Sequence, residues 1–352
     1  MNTLTTSHLD ARRTAGISPL ISPALLRSEL PVDDSVAATV TAGRDAAVDI
    51  LAGRDDRLVV VVGPCSIHDA DAALDYARLL AAKAETLRGD LVVVMRAYFE
   101  KPRTTVGWKG LINDPDLDGT FQVNKGLRIA RSLLRDICAL GLPVGCEFLD
   151  PITPQYIADL VSWGSIGART AASQVHRQLC SALSMPIGIK NSTDGDVQIA
   201  VDGTRASAES HVFMGINPDG LASLITTTGN PDCHVILRGG SNGPNYSAAH
   251  VADALGTLTR AGLPERLIVD TSHGNSGKDH RRQPIVAADL AERIAAGEKG
   301  VVGVMLESFL VAGRQEIGPD MVRGCSVTDS CMDWDTTATV LDELAAAVRT
   351  RR

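Results

Sequence analysis

Eight short apolar runs, rich in β-branched residues, recur along the chain from residue 58: LVVVVGPC (58–65), LVVVMRAYF (91–99), LPVGCEFL (142–149), SIGAR (165–169), MPIGIKN (185–191), HVILRGG (234–240), RLIVDTSH (266–273) and VVGVMLES (301–308). Ala- and Leu-rich stretches of helical length separate most of them: 71–87, 124–141, 247–262 and 287–297. A strand buried on both faces reads as a continuous apolar run, and a helical crossover is the connection that parallel neighbours require. Eight such units over about 280 residues predict an α/β fold, a closed (β/α)8 barrel. An open, doubly wound sheet is the alternative.

Two regions stand outside the alternation. Residues 1–55 hold a proline-rich stretch, ISPLISPALLRSELP (17–31), and an Ala-rich helix over 36–53 closed by Gly53. They are read as an N-terminal extension with an oligomeric or regulatory role, and 56–352 as the catalytic barrel. HVFMGINPDGLASLITTTG (211–229) contains two strand-like runs split by Asn-Pro-Asp-Gly, a turn signal. It predicts a β-hairpin inserted before the sixth barrel strand. WKGLINDPDLDGT (108–120) is read as a loop after the second strand.

Each apolar run leads into a charged or metal-capable side chain: Cys65, Arg96, Glu147, Arg169, Lys190, Arg238, His273 and Glu307. In a parallel barrel such positions converge on one rim, where the active sites of these folds lie. Arg96, Lys101, Arg103, Arg169, Lys190 and Arg238 would crowd one mouth of a chain whose net charge is −8. Their mutual repulsion calls for an anionic ligand, and Arg presents planar donors that match phosphate and carboxylate. A small phosphorylated acid is the implied ligand. Cys65, His273 and Glu307 form a second set whose thiolate, imidazole and carboxylate donors suit a divalent transition metal.

Acidity argues against nucleic acid or an anionic membrane as partner. Aromatic residues make up only 3% of the chain, too few for a base-stacking platform. The start lacks an apolar signal-peptide core, and no apolar stretch approaches the roughly 20 residues of a spanning helix. The cytoplasm is therefore the expected compartment. The seven cysteines contain no C-x-x-C pair; Cys138, Cys146, Cys180 and Cys233 are read as buried small hydrophobes. The ARR at 11–13 and RTRR at 349–352 are read as solvated ends.

Longer motifs are more specific. GPCSIHD (63–69), RAYFEKPRTTVGWKGLINDP (96–115), EFLDPITPQY (147–156), GARTAASQVHR (167–177), KNSTDG (190–195), ILRGGSNGPNY (236–246), SHGNSGKDHRRQ (272–283), GVMLES (303–308) and VTDSCMDWDTT (327–337) span nearly the whole chain. Together they resemble the type I 3-deoxy-D-arabino-heptulosonate 7-phosphate (DAHP) synthases, in the microbial subfamily regulated by aromatic amino acids. The resemblance implies a metal-dependent condensation of phosphoenolpyruvate with D-erythrose 4-phosphate, the first step of the shikimate pathway. It implies one divalent metal ion (Mn, Fe, Co or Zn) held by Cys65, His273, Glu307 and Asp329. It assigns Arg96, Lys101, Glu147, Arg169, Lys190 and Arg238 to phosphoenolpyruvate. Arg103 and Thr104 fall to the phosphate of erythrose 4-phosphate, and Lys101 to proton donation. A departure is Ala171-Ala172, where relatives more often carry Thr-Glu.

The resemblance further implies a homo-oligomer, dimer or tetramer, inhibited by an aromatic amino acid. Its effector pocket would involve Pro154, Gln155, Leu183, Ser184, Phe213 and Gly215, with Gly215 favouring tyrosine. In regulated relatives an acidic N-terminal pair contributes, reduced here to Asp10. Two competing functions remain open on the sequence. One is the sister reaction that makes 3-deoxy-D-manno-octulosonate 8-phosphate, which KPRTT disfavours. The other is a barrel without catalysis that only binds an effector or a partner enzyme.

Overall fold

The computed structural model describes residues 13–352 apart from Thr104. Its strands in chain order are β1 (Leu58–Gly63), β2 (Leu91–Arg96), β3 (Val144–Glu147), β4 (Trp163–Ile166), β5 (Ile187–Lys190), β6 (Val212–Ile216), β7 (Ala222–Thr226), β8 (His234–Leu237), β9 (Leu267–Asp270), β10 (Val301–Glu307), β11 (Val311–Arg314) and β12 (Cys325–Ser326). Eight of them close a barrel in the order β1-β10-β9-β8-β5-β4-β3-β2. Every pairing around it is parallel. The chain therefore folds as a (β/α)8 barrel, and the open sheet is excluded. All eight barrel strands are buried along their length, as continuous apolar runs require.

Before the barrel come helices α1 (Pro23–Glu29) and α2 (Asp34–Ala52). Asp33 caps α2 by accepting the Val36 N–H, and Gly53 ends it in the left-handed conformation, φ 75°. The buried side chains Ala47, Ile50 and Leu51 pack against Val59, Val61, Val92, Val94, Trp163, Ile236, Ile268, Val302 and Met305. These strand residues point into the barrel, so α2 seals its N-terminal mouth. Burying Ile50 and Leu51 contributes roughly 1.5–3 kcal/mol each.

β6 and β7 form the antiparallel hairpin, inserted ahead of the sixth barrel strand, β8. Its turn is fixed by Asn217, whose side chain accepts the Asp219 and Leu221 N–H groups at 3.0 Å each. Period-two alternation turns Phe213, Gly215 and Ile225 toward the protein; it leaves Val212, Met214 and Leu224 exposed. The hairpin also holds α1, through the Ala24 N–H and the Pro218 carbonyl at 2.7 Å. Among the described residues, no helix is long and apolar enough to cross a membrane.

Candidate active site

Arg96, Glu147, Lys190 and Glu307 are the last residues of their strands. The other four rim residues stand beyond theirs. Cys65, Arg169 and Arg238 lie in the following turns, and His273 opens a helical turn with φ 52°, in the left-handed region. Against the expectation that all eight end their strands, half are thus presented by loops. The register still brings them to one level, with Gly63 of β1 opposite Glu307 of β10.

The ligand atoms of Cys65, Glu307 and Asp329 lie within 4.8 Å of one another. His273 Nε2 is 3.7 Å from Glu307 Oε1. Its other nitrogen, Nδ1, lies 3.0 Å from the Asp270 carboxylate and 2.7 Å from Ser272 Oγ. A proton held at Nδ1 by Asp270 leaves the Nε2 lone pair for a metal, the usual outer-sphere arrangement. Burial, reinforced by Glu307, pushes the Cys65 thiol up to about 11. Asp329 is driven up by burial but held at about 2 by His273, Lys101 and Lys278. A soft sulfur, two carboxylates and an imidazole fit a divalent transition metal, whose charge would replace the thiol proton.

The cations belong to the same place. Arg96 is fully buried, lies 4.0 Å from the Tyr98 ring centroid and donates to Glu307 at 3.1 Å. Its Nη1 is buried without a hydrogen-bond partner, a donor that suits an anionic ligand. Lys190 donates to Asp270 at 2.9 Å. Lys101 donates to the Cys65 carbonyl and sulfur, both at 3.2 Å. Burial alone would lower the pKa of Lys101, but Cys65, Glu147, Glu307 and Asp329 hold it above the ordinary range. Arg238 is pushed down by burial and by Arg169, against the pull of Asp270. The expected crowd of repelling cations is therefore partly neutralised from within, because Glu307 and Asp270 face Arg96 and Lys190.

A cleft of about 600 Å³ opens over this floor. Its walls include Lys101, Arg103, Glu147, Arg169, Lys190, Arg238, His273 and Asp329. Arg96, Cys65 and Glu307 lie beneath, each at most 1% exposed. Arg103 is exposed and folds back onto its own loop, donating to the Trp108 carbonyl at 2.8 Å. Thr104 is outside the described residues. Gly167 keeps Glu147 in place, since a Cβ there would lie 2.2 Å from Glu147 Oε1.

Sequence reasoning missed three supporting residues. Asp270 holds both Lys190 and His273. Gln283 brackets the Glu307 backbone, accepting its N–H at 2.9 Å and donating to its carbonyl at 3.1 Å. Lys278 pairs with Asp329 at 3.1 Å. Asp270 was discoverable as the one carboxylate within the apolar run RLIVDTSH.

Glu100, next to Lys101, is buried and ties its loop to the segment after β3. It accepts the Leu149 N–H at 3.4 Å, the Asp150 N–H at 3.2 Å and the Thr153 hydroxyl at 3.2 Å. Burial, then Asp150, raises its pKa from 4.5 to about 8. Between those values the folded state keeps a proton that the unfolded state loses. The stabilisation is complete below the unfolded pKa and is lost as pH rises through the folded one, with a slope of at most about 1.4 kcal/mol per pH unit. Urea titrations across this range should show Glu100→Gln with a flatter decline than the parent chain; equal slopes would refute the assignment.

The DAHP synthetase I family matches over residues 30–342. The chain belongs to the DAHP synthetase I family. A tyrosine-inhibited phospho-2-dehydro-3-deoxyheptonate aldolase of Schizosaccharomyces pombe is 50% identical, over 98% of this chain and 94% of its own. A Phe-sensitive phospho-2-dehydro-3-deoxyheptonate aldolase of Escherichia coli K12 is 52% identical, over 97% and 98%. A solved phospho-2-dehydro-3-deoxyheptonate aldolase of Francisella tularensis superposes with a TM-score of 0.94 at 48% identity, covering 96% of this chain and 99% of that one. Likeness of this extent makes the chain an enzyme of the DAHP synthase class.

A second cavity, of about 310 Å³, lies away from the cleft. Pro154, Gln155, Leu183, Ser184, Phe213 and Gly215 all line it, joined by Arg27 and Arg44 from α1 and α2. Six positions separated by up to sixty residues in the sequence thus share one wall. Asp10 falls outside the described residues.

Proposed function

We propose that this chain catalyses a metal-dependent condensation in which C3 of phosphoenolpyruvate bonds to the aldehyde carbon of D-erythrose 4-phosphate and water adds at C2 as phosphate leaves, giving DAHP and phosphate. The observation that carries the reading is the juxtaposition of Cys65, Glu307 and Asp329 with a cleft walled by Lys101, Arg103, Arg169, Lys190 and Arg238. When bound by Cys65, His273, Glu307 and Asp329, a divalent ion supplies Lewis acidity toward the aldehyde oxygen. Arg169, Lys190 and Arg238 grip the phosphate of phosphoenolpyruvate and stabilise its departure. The unpartnered Nη1 of Arg96 meets the carboxylate. Lys101, held protonated by its anionic neighbours, donates a proton to the developing alkoxide. Arg103 and Thr104 take the aldose phosphate. An assay of both substrates before chelation, after it, and after restoring Mn, Fe, Co or Zn tests the reading. Full activity in the chelated protein would overturn it, as would preference for a five-carbon aldose phosphate.

Arg238→Ala should weaken phosphoenolpyruvate binding by roughly 1.5–3 kcal/mol, the scale of a charge-assisted hydrogen bond. The substrate's KM in steady-state kinetics is the check, and an unchanged value would remove Arg238 from the clamp.

The second cavity is the proposed effector site, with tyrosine as the favoured inhibitor. Gly215 leaves room for a phenolic hydroxyl. A Cβ there would stand 2.9 Å from Ile225 Cγ1, so a serine narrows the pocket by pushing on that side chain. Gly215→Ser should shift inhibition from tyrosine toward phenylalanine. Titrations with tyrosine, phenylalanine and tryptophan check this; a response of the parent chain to phenylalanine alone would defeat it. The exposed Val212, Met214 and Leu224 face supports assembly into a dimer or tetramer through the hairpin. The N-terminal extension would then serve regulation, while its helix α2 seals the barrel.

A further inference from the structure

At the end of the barrel opposite the cleft, a cavity of about 280 Å³ opens beside the C-terminus of α2. Arg57, Arg266, Lys299, Arg351 and Arg352 line it with Asp55 and Asp56, over a floor that includes Ile50 and Val302. Five cations face two carboxylates there, on a chain whose net charge is −8. The residues come from four separate segments: the linker into β1, the entry to β9, the entry to β10, and the chain's last turn of helix.

The partners of these groups divide them. Arg57 is held by Asp55 at 2.6 Å, and Arg352 reaches Asp90 at 3.0 Å and also Asp56. Arg351 donates to the Asp56 carbonyl. Burial and Arg352 lower the pKa of Arg351 despite Asp56. Neither Arg266 nor Lys299 makes a side-chain hydrogen bond or ion pair among the described residues. The RTRR tail keeps Arg349, Thr350 and Arg352 exposed, as a solvated end would, but Arg351 and Arg352 also tie it to Asp56 and Asp90.

Cations gathered around a concavity with low-dielectric walls focus positive potential. The guanidinium of Arg266 and the ammonium of Lys299 are the donors left for a guest, and the Ile50–Val302 floor accepts a short carbon skeleton. We propose that this cavity is a second anion site, taking a small oxyanion with at least two negative charges, either a phosphate ester or a polycarboxylate. The site is independent of the reaction at the cleft. A ligand there joins the end of α2 to the starts of β9 and β10, so it stabilises the sealed barrel by mass action.

Because the cleft also binds anions, the test uses a chain carrying Arg169→Ala and Arg238→Ala. Calorimetric titration with inorganic pyrophosphate, and separately with citrate, should show one saturable site on this background. Adding Arg266→Gln and Lys299→Gln should weaken it about tenfold or more, the loss of charged donors. The same two substitutions in the otherwise unaltered enzyme should leave kcat/KM unchanged. Lys299→Glu alone, at an exposed position, should also weaken binding and cannot be dismissed as a folding defect. The tighter of the two anions identifies phosphate ester or polycarboxylate. Absence of saturable binding to either, or binding indifferent to Arg266 and Lys299, overturns the proposal.

Discussion

Cys65→Ala is expected to abolish turnover, by a thousandfold or more on the order of what a Lewis acid supplies, while the barrel stays folded. Cys65 is fully buried, and its sulfur accepts from Lys101 at 3.2 Å and from the Asp329 N–H at 3.4 Å. It is the soft donor in a set otherwise made of carboxylates and imidazole. Without it, Glu307 and Asp329 keep two hard donors and lose the preference for a transition metal. The cavity left by one sulfur costs only about 1 kcal/mol of stability. Metal content after dialysis, measured with a circular-dichroism melt, separates the two effects. A variant that keeps its metal and its activity would show that the thiol is not a ligand.

Asp270→Asn is expected to damage both halves of the site at once. The Asp270 carboxylate is fully buried, 2.9 Å from Lys190 Nζ and 3.0 Å from His273 Nδ1. It also accepts the Ser272 N–H at 3.0 Å. Burial opposes its charge, but Lys190 and His273 hold it well below the usual carboxylate range. An amide keeps the shape and removes the charge, leaving Lys190 buried without its ion-pair partner. Breaking such a pair costs roughly 3–5 kcal/mol of stability. Metal affinity should fall about 10–100-fold, because His273 loses the group that fixes its tautomer. Phosphoenolpyruvate KM should rise through Lys190. A variant with only a lower melting temperature, and with metal affinity and KM intact, would reduce Asp270 to a structural role.

The barrel was legible because its strands are buried on both faces and so cannot be mistaken for alternating amphipathic ones. The hairpin was legible from Asn-Pro-Asp-Gly, where Asn217 organises the turn. Strand ends were less so. β4 runs over Trp163–Ile166, starting two residues before the SIGAR reading and ending three before it, because hydrophobicity does not mark where a ladder stops. The helices Gln174–Ala182 and Gln198–Ala208 escaped notice, since polar side chains interrupt their apolar faces. Rim residues could be named one by one, but their pairing could not. That Glu307 faces Arg96 and Asp270 faces Lys190 depends on register between strands far apart in sequence. The same holds for α2, whose Ala-rich helix gives no sign that its partners are the inward faces of the barrel strands.

The topology also sets an order of events as the chain is made. β1 pairs with β2, the next strand synthesised, on one side and with β10 on the other, Val59 lying opposite Gly303. The strand that leaves the ribosome first therefore waits for the last one of the barrel before its second edge is covered. During that interval Ile50 and Leu51 of α2 have only part of their eventual floor, since Ile268, Val302 and Met305 have yet to emerge. Long-range closure of this kind is slow, and an open parallel edge is exposed to misassociation throughout. The length of chain between β1 and β10, more than the strength of any one contact, determines how long the nascent barrel must be protected.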